Sequence, residues 1–341
     1  MLKTQIIAAA LLAASVMSAW AFPDAPTFPD VLVAQVQYQG EPFDLKMNVY
    51  LPPGPKGAPT PIVLAIHGGG GTYQTPKTYA LNLVDYGIAV ATIDFQKNGM
   101  PGMLYDCKAY IRFIRAHAAE FNIDPMRLGI WGGSRGGNLA AMLAVTGDNK
   151  ELEGDIGGNL NQPSMIQANV IYYPLTDIFL NTDAKVLEMI PLYLEDVDRA
   201  TARKILAAYN KHDTKSPYWK YVARMEKFNP LNYITKNSPP AYIAVGGDDM
   251  GNPLINSMAM YEKYIEQGAQ AALYSYSLGT HGYVGKHIDE ETVTWLADQL
   301  SKNPPPEFAT PPRPQPSPEE CEKTGNSPWC TPDPILANRK P

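Results

Sequence analysis

Hydrophobic and polar positions follow two different rhythms along the chain. Residues 31–39 and 43–51 alternate apolar and polar side chains, which predicts a half-buried antiparallel pair of strands. From residue 61 onward, the apolar residues instead form short continuous runs, as in strands that are buried on both faces. These runs are residues 61–66, 88–95, 127–132, 168–173, 241–245 and 271–277.

Segments with helical spacing separate these buried runs. We predict helices over residues 76–86, 103–121, 135–146, 253–267 and 289–301. Gly87 and Gly268 follow two of these segments, at the position where glycine commonly ends a helix. Strands that alternate with helices predict an α/β fold, in which a mostly parallel sheet is covered by helices on both faces.

One stretch, residues 178–235, interrupts this alternation and is called the insert below. It contains two or three helical segments, no predicted strand and many aromatic residues. Because it lies between two predicted strands, we interpret it as a helical lid over the carboxyl end of the sheet. Packing against the side of the domain is the alternative. The candidates for substrate contact are Tyr193, Tyr218 and Trp219 in the insert, and Tyr73 outside it.

The amino-terminal residues 1–21 have the pattern of a secretory signal peptide. Lys3 precedes a short apolar run, and the small residues Ala19 and Ala21 form a cleavage site before Phe22. The apolar run is too short to span a bilayer comfortably, so we expect no membrane anchor. The prediction is export to the periplasm or the extracellular space, with cleavage near Ala21.

The carboxyl-terminal residues 303–341 hold 12 of the 32 prolines, which predicts an extended tail. The catalytic domain is therefore expected within residues 22–302. Cys321 and Cys330 lie in the tail, where an oxidising compartment would let them close a small loop. Cys107 lies on an apolar helical stripe instead, and we expect it to be a buried thiol of the core.

Composition and charge exclude several classes of protein. Hydrophobic residues make up 45% of the chain and charged residues 18%, which is a globular rather than a disordered composition. The formal net charge is −6 and no block of Lys and Arg occurs, so we expect no nucleic-acid partner. No pair of histidines has the spacing of metal ligands, so we expect no metal site.

The strongest chemical signal is GGSRGG at residues 132–137, which contains the pattern G-x-S-x-G between a predicted strand and a predicted helix. A sharp turn between strand and helix holds Ser134 in a strained conformation and exposes its hydroxyl group. The start of the helix also favours a developing negative charge. We therefore predict that Ser134 is a nucleophile. A glycine-rich turn with an incidental serine is the alternative.

A second signal is HGGGG at residues 67–71, directly after a buried run. Acyl transfer needs N–H donors where the carbonyl oxygen becomes an oxyanion, and a glycine-rich loop can direct its amides there. The candidate donors are the amides of Gly69, Gly70 and Arg135. A phosphate-binding loop is the alternative, but the Lys-Ser or Lys-Thr ending of such loops is absent. His67 precedes the nucleophile, and we expect it to hold this loop rather than to act as the base.

An acid and a base follow two later strands. Asp248 and Asp249 end one buried run, and His281 follows the next. A neutral imidazole can take the proton of Ser134, and a buried carboxylate orients that imidazole. His281 is the predicted base because it lies at a strand end, and His287 is the alternative. The order serine, aspartate, histidine along the chain is that of α/β-hydrolases.

Residues from about 31 to 301 resemble α/β-hydrolase esterases, especially hormone-sensitive-lipase-like carboxylesterases and feruloyl- or acetylxylan-esterase-like enzymes. The resemblance rests on HGGGG at 67–71, GGSRGG at 132–137, YYPLTD at 172–177 and HGY at 281–283. It implies an α/β-hydrolase fold with no cofactor, and it places the acid at Asp249, with Asp248 as the alternative. Two departures stand out: Phe95-Gln96 where these enzymes usually carry Tyr-Arg, and Arg135 where many carry alanine.

The function that this resemblance implies is that of a secreted serine carboxylesterase. Its substrate would be a small-molecule or polysaccharide-linked ester, of the acetyl or feruloyl type found in plants, and it would react through an acyl-enzyme. An exported serine peptidase of prolyl-oligopeptidase-like type is one alternative, because its elbow resembles GGSxGG. The other is a non-catalytic binding protein with the same fold. Such proteins usually lose a member of the triad, whereas this chain has a candidate for each role.

Overall fold

The structure is a computed structural model that describes residues 23, 25–54, 57–74, 79–97, 99–194, 196–249 and 253–301. The predicted signal peptide lies outside the described residues. So does the predicted proline-rich tail with its two cysteines, Cys321 and Cys330.

Eight strands form a single sheet. They are Phe28–Tyr38 (β1), Glu41–Tyr50 (β2), Thr60–Ile66 (β3), Ala89–Ile93 (β4), Ile123–Gly133 (β5), Ala168–Tyr172 (β6), Ala241–Gly246 (β7) and Ala271–Tyr276 (β8). Their spatial order is β1-β2-β4-β3-β5-β6-β7-β8. β2 runs antiparallel to β1 and to β4, and all other neighbours are parallel. The predicted antiparallel pair and mostly parallel sheet are thus confirmed.

Helices connect the parallel strands. The α-helices are Gly102–Ala116 (α1), Ala118–Phe121 (α2), Arg135–Val145 (α3), Asp183–Tyr193 (α4), Arg199–Asn210 (α5), Trp219–Glu226 (α6), Pro253–Glu266 (α7) and Lys286–Ser301 (α8). The helix predicted over 103–121 is two helices, because His117 leaves helical geometry at φ −107° and ψ 17°. The described part of the segment predicted at 76–86 is a 3₁₀ helix, Tyr79–Tyr86. Each described helix falls short of the length or the apolar character that crossing a bilayer requires.

β3 shows why the central strands are apolar throughout. Ile62 and Leu64 contribute to an apolar cluster on one face of the sheet, whereas Val63 and Ala65 contribute to a cluster on the other face. Successive side chains of a strand point to opposite faces, so a strand covered on both sides needs an apolar residue at every position. Cys107 of α1 is fully buried in the first cluster, which confirms its expected place in the core.

The parallel strands bring the predicted functional residues to one edge of the sheet. The loop at residues 67–71 follows β3, and Ser134 follows β5. Asp249 lies three residues beyond the end of β7, and His281 lies in the segment that follows β8. Because parallel strands all end at the same edge, these segments meet there although they are far apart along the chain.

The insert is a helical unit with an apolar cluster of its own. Its described residues include α4, α5 and α6, and buried side chains such as Ile190, Ile205 and Val222 form the cluster. The insert joins the rest of the domain next to α1, where the Met100 amide donates to the Tyr193 carbonyl at 3.1 Å. The predicted helical character is confirmed, and its role as a lid stays a prediction.

Candidate active site

Ser134 lies at the tip of a sharp turn, the nucleophile elbow, formed by residues 132–136 between β5 and α3. Its backbone has φ 58° and ψ −119°, a left-handed conformation that is costly for a residue with a side chain. The turn is also too tight for a side chain at either flanking glycine. A Cβ at Gly132 would lie 2.0 Å from the Gly136 carbonyl oxygen, and one at Gly136 would lie 2.3 Å from that of Ile66. The sequence G-x-S-x-G is therefore a steric requirement of this turn.

A chain of hydrogen bonds joins Ser134, His281 and Asp249. His281 Nε2 lies 2.9 Å from Ser134 Oγ, and His281 Nδ1 lies 3.0 and 3.1 Å from the two carboxylate oxygens of Asp249. The Asp249 side chain is fully buried, whereas 47% of the His281 side chain is exposed. This arrangement lets the carboxylate orient the ring while Nε2 faces the serine hydroxyl.

The two alternative residues lie elsewhere. Asp248 is exposed, and its amide donates to the Gly279 carbonyl at 2.9 Å. The His287 ring packs edge-on against Tyr276, with 5.3 Å between the ring centres. The structure thus brings Asp249 and His281 to the serine and holds their neighbours in other contacts.

The glycine loop, residues 67–71, lies beside the elbow. A Cβ at Gly68 would be 3.6 Å from Ser134 Cβ, and the Gly71 amide donates to the Gly68 carbonyl at 3.1 Å to close a tight turn. The amides of Gly69 and Gly70, inside this turn, donate to no other described residue, and neither does that of Arg135 at the start of α3. With respect to the described residues, these three amides keep their hydrogen atoms available, as an oxyanion site requires.

His67 holds the glycine loop in the way expected from the sequence. Its Nδ1 lies 2.6 Å from the Gly68 carbonyl oxygen and its Nε2 lies 3.1 Å from Asp94 Oδ1. The ring stacks on Phe95, with 4.5 Å between centres and 15° between planes. Phe95 belongs to the Phe95-Gln96 pair, one of the two departures from the enzymes that the sequence resembles. Here it supplies a flat surface for the loop histidine.

Ser134 opens into a cavity of about 500 Å³, called the Ser134 cavity below. Its walls come from the glycine loop, the elbow, the ends of β5 and β6, and the segment after His281. Aromatic residues supply much of the lining: Tyr79, Trp131, Tyr172, Tyr173 and Tyr283. Pockets of this size, with aromatic walls and a few polar groups, are typical of sites for small organic ligands.

Tyr173 is a site residue that was not predicted from the sequence. It has φ 35°, a left-handed conformation that is rare for a bulky residue, and it lines the Ser134 cavity. Its hydroxyl lies against Gly133, where an added Cβ would be 2.7 Å away, and its ring meets the His281 ring edge-on at 5.0 Å. Burial, together with the charges of Asp289 and Asp249, raises the pKa of Tyr173 to about 12. The only sequence signal was its place in the motif YYPLTD.

Asp289 is a second unpredicted residue of the cavity. It lies in the first turn of α8, is only 3% exposed and contributes to the wall of the Ser134 cavity. Burial raises the pKa of its carboxyl group to about 7, and a hydrogen bond from Tyr172 opposes part of that rise. A lone aspartate in a helical segment carries no sequence signal of this role.

The four residues predicted to contact substrate are not among the described residues that line the Ser134 cavity. Tyr218 and Trp219 pack against the apolar cluster of the insert, as does Tyr193, which also packs on the main core. The Tyr73 hydroxyl donates to Asp30 Oδ1 at 2.5 Å and so connects the loop after residue 71 to β1. The aromatic surfaces of the three insert residues are used for packing, which the number of aromatic residues in the sequence could not reveal.

The arrangement fits nucleophilic attack on a carbonyl carbon. A serine hydroxyl faces an imidazole, the imidazole faces a buried carboxylate, and three amides with available hydrogen atoms belong to the adjoining loop and helix end. Within the described ranges, no three His, Cys, Asp or Glu side chains lie close enough together to hold a metal ion.

Comparison with known proteins identifies relatives of this site and fold. The BD-FAE family model matches residues 47–264. Esterase LipI of Mycobacterium tuberculosis is 27% identical over 286 residues, which cover 77% of this chain and 78% of LipI.

Two solved structures share the fold. One is a truncated form of a carbohydrate esterase from gut microbiota, with a TM-score of 0.66 and 22% identity, covering 83% of this chain and 100% of that protein. The other is an acetyl ester-xyloside bifunctional hydrolase from Caldicellulosiruptor lactoaceticus, with a TM-score of 0.60 and 19% identity, covering 80% of this chain and 97% of that protein.

Proposed function

The chain belongs to the BD-FAE family of α/β-hydrolase esterases and is a carboxylesterase, and from this premise we propose a Ser134–His281–Asp249 triad that reacts through an acyl-enzyme. We further propose that the enzyme is exported and that its substrates are acetyl or feruloyl esters of small alcohols or plant polysaccharides. The observation that carries the mechanism is the 2.9 Å contact between Ser134 Oγ and His281 Nε2, with Asp249 on the opposite side of the ring.

In the first half of the reaction, His281 Nε2 takes the Ser134 proton while Oγ attacks the ester carbonyl carbon. The carbonyl oxygen becomes an oxyanion and accepts hydrogen bonds from the amides of Gly69 or Gly70 and of Arg135. Asp249 stabilises the charged imidazole. When the tetrahedral intermediate collapses, the bond to the alcohol breaks, His281 returns the proton to the alcohol oxygen, and Ser134 holds the acyl group.

In the second half, a water molecule replaces the alcohol. His281 takes a proton from the water, whose oxygen attacks the acyl carbon, and the oxyanion forms again in the same place. Collapse then breaks the bond to Ser134 Oγ, which receives the proton from His281. The products are a carboxylic acid and the free enzyme.

The choice of substrate rests on two supports. The Ser134 cavity is larger than an acetyl group needs and has aromatic walls, which suits a ring on at least one side of the ester. The two structural neighbours are described as a carbohydrate esterase and an acetyl ester-xyloside hydrolase. Since that likeness is one of fold, it makes acetylated carbohydrates the first substrates to test.

Export is supported by the sequence of residues 1–21, with its Lys3, its apolar run and the small residues before Phe22. The test is the intact mass of the enzyme recovered from the periplasm or medium. A mature protein that begins at Phe22 is expected, and a protein that retains residues 1–21 in the cytoplasm would contradict export.

The mechanism is tested by Ser134→Ala with a panel of acetyl, longer-acyl and feruloyl esters. We expect an intact fold and a loss of about 10³-fold or more in kcat, because only binding and the oxyanion donors remain. A fluorophosphonate probe should label the wild type and the control Ser301→Ala, but not Ser134→Ala. Near-normal hydrolysis by Ser134→Ala would overturn the mechanism. Faster cleavage of an amide than of the ester with the same acyl group would favour the peptidase alternative.

A further inference from the structure

We propose that Asp289 is a specificity residue that anchors the alcohol part of the ester, by hydrogen bonding to a ring hydroxyl of a sugar in the Ser134 cavity. The inference rests on the proposed esterase function and names the chemical class of its alcohol. It assigns a role to a buried acidic group that the triad mechanism does not use.

The position of Asp289 gives its carboxyl group access to the cavity and to little else. The residue is 3% exposed, yet it belongs to the cavity wall, so its exposed surface faces the space next to Ser134. Tyr79, Tyr172 and Tyr173 line the same cavity, and the charge of Asp289 contributes to raising the pKa of each. A carboxyl group buried in this way is costly unless it is protonated or hydrogen-bonded.

The Tyr172 hydroxyl, which hydrogen-bonds Asp289, has a second acceptor in Thr292. The Thr292 hydroxyl donates its only proton to the Ile288 carbonyl at 2.7 Å, so it can only accept from the Tyr172 hydroxyl, which lies 2.7 Å away. The Tyr172 hydroxyl also hydrogen-bonds Asp289 and favours its ionised form. The single Tyr172 proton is therefore shared between two acceptors, the Thr292 hydroxyl and the Asp289 carboxylate.

This arrangement explains what the carboxyl group can bind. In its protonated form Asp289 has a proton of its own to donate, in keeping with a pKa that burial raises to about 7. In its ionised form it has a share of the Tyr172 proton, and a further donor from the cavity would complete its hydrogen bonding. A hydroxyl group both donates and accepts, so it can bind either form of Asp289.

The side of the cavity on which Asp289 lies determines which part of the ester it can contact. The oxyanion faces the glycine loop and the start of α3, whereas the alcohol oxygen must face His281 Nε2 to receive its proton. The chain continues from His281 through Gly282, Tyr283 and Val284 to α8, and these residues line the cavity together with Asp289. The alcohol part therefore lies against this segment.

The walls of this side suit a pyranose ring. Tyr283 lies at the rim with 47% of its surface exposed, and Tyr79 lines the same cavity. Aromatic rings pack against the C–H faces of a flat ligand, while a buried acidic group selects its hydroxyls. Together they favour a ring alcohol with free hydroxyl groups over a purely apolar one.

The test uses two acetate esters whose alcohols are six-membered rings: an acetylated methyl xylopyranoside, which has free hydroxyls, and cyclohexyl acetate, which has none. Asp289→Leu removes the polar group, and Asp289→Asn keeps its shape but never carries the charge. Asp298→Asn, an exposed position farther along α8, is the matched control. Circular dichroism and thermal melting establish that each variant is folded.

For Asp289→Leu we expect the ratio of kcat/KM, pyranoside ester over cyclohexyl acetate, to fall about tenfold, mainly through KM. Asp289→Asn should lower the ratio less, and Asp298→Asn should leave it unchanged. If Asp289→Leu does not fold, a lowered ratio in Asp289→Asn alone supports the proposal. An unchanged ratio in every folded Asp289 variant overturns it, as does an equal loss on both esters, which would mean a structural role.

Methyl ferulate and methyl cinnamate form the second arm, since they differ by ring substituents that include a hydroxyl on the acyl side. Their ratio should not change in the Asp289 variants, and a loss confined to the ferulate would overturn the assignment to the alcohol side. If the wild type hydrolyses none of the four esters, the proposed function fails, and this inference fails with it.

Discussion

Two adjacent carboxylates follow β7, and only one of them faces the imidazole. Asp249 is buried with both oxygens near His281 Nδ1, whereas Asp248 is exposed. Burial matters here because the carboxylate acts by orienting the ring and by balancing its charge, and both effects weaken in water.

At this position the expected result is a large difference between two neutral substitutions. Asp249→Asn should lower kcat about 10²-fold or more, since an amide no longer balances the charged ring. Asp248→Asn serves as the matched control and should stay within about twofold of the wild type, as is usual for exposed sites. Ester hydrolysis kinetics of both variants provide the measurement. A greater loss in Asp248→Asn would show that Asp248, and not Asp249, is the acid of the triad.

At the scale of the elements, Asp289 in α8 makes the free energy of unfolding depend on pH. Burial raises the pKa of this carboxyl group from 3.8 to about 7 in the folded protein. The folded state therefore keeps a proton that the unfolded chain has already lost between these two values. The contribution of Asp289 to the free energy of unfolding is therefore most favourable below about pH 4 and becomes less favourable, by up to about 4 kcal/mol, as the pH rises to about 7.

We therefore expect Asp289→Asn to flatten the dependence of unfolding on pH. Its free energy of unfolding should fall less than that of the wild type between about pH 5 and about pH 8, because the amide has no proton to lose. Urea titrations at both pH values measure the difference. Asp298→Asn, exposed on the same helix, should behave as the wild type does. Parallel pH dependence of Asp289→Asn and the wild type would contradict the expectation.

In the insert, the aromatic residues predicted to contact substrate differ from one another in their surroundings. Trp219 meets His212 edge-on at 5.3 Å inside the insert, whereas Tyr193 packs on both the insert and the main core, and the charge of Arg135 acts on it. Of the predicted substrate contacts in the insert, Tyr193 thus has the clearest connection to the elbow.

From this difference we expect Tyr193→Ala to change the preference between short and bulky aromatic esters, with a shift of severalfold in the ratio of their kcat/KM values. Trp219→Ala is the matched aromatic control and should lower the melting temperature with little effect on that ratio. If Tyr193→Ala is folded and leaves the ratio unchanged, the insert does not set specificity. An equal shift in Trp219→Ala would show that the whole insert acts as a lid.

In the molecule as a whole, the sheet brings the segments of the site together. The glycine loop, Ser134, Asp249 and His281 follow β3, β5, β7 and β8, which end at the same edge. The two apolar clusters hold this sheet between helices, so the loops are carried on a rigid support. From the sequence we predict that the proline-rich residues 303–341 contribute nothing to this assembly.

Removal of residues 310–341 should therefore leave esterase activity and melting temperature nearly unchanged, because a proline-rich segment contributes little apolar burial. Intact-mass analysis of the full chain after alkylation should show one disulfide, between Cys321 and Cys330, and a free Cys107, which is fully buried. Cys107 bridged to a tail cysteine would contradict this, since the tail would then dock on the domain.

The sequence by itself determined the elements and their order. Continuous apolar runs predicted the strands, because a strand covered on both faces leaves no position for a polar side chain, as in β3. The pattern G-x-S-x-G predicted the turn at Ser134, because no other residue fits where the backbone comes within 2.0 Å of an added Cβ at Gly132. Such features depend on near neighbours along the chain, and so they are visible in it.

The tertiary structure alone decided which side chains share the site. Asp248 and Asp249 are adjacent in the sequence, and only the packing of the segment after β8 against the end of β7 brings His281 to one of them. Tyr173, which follows β6, and Asp289, which lies in α8, also meet at the cavity only through tertiary packing. The aromatic residues of the insert pack away from the cavity wall because its three helices form a cluster of their own. These contacts join residues that are far apart in the chain, and local periodicity records only that a residue is buried, not what it faces.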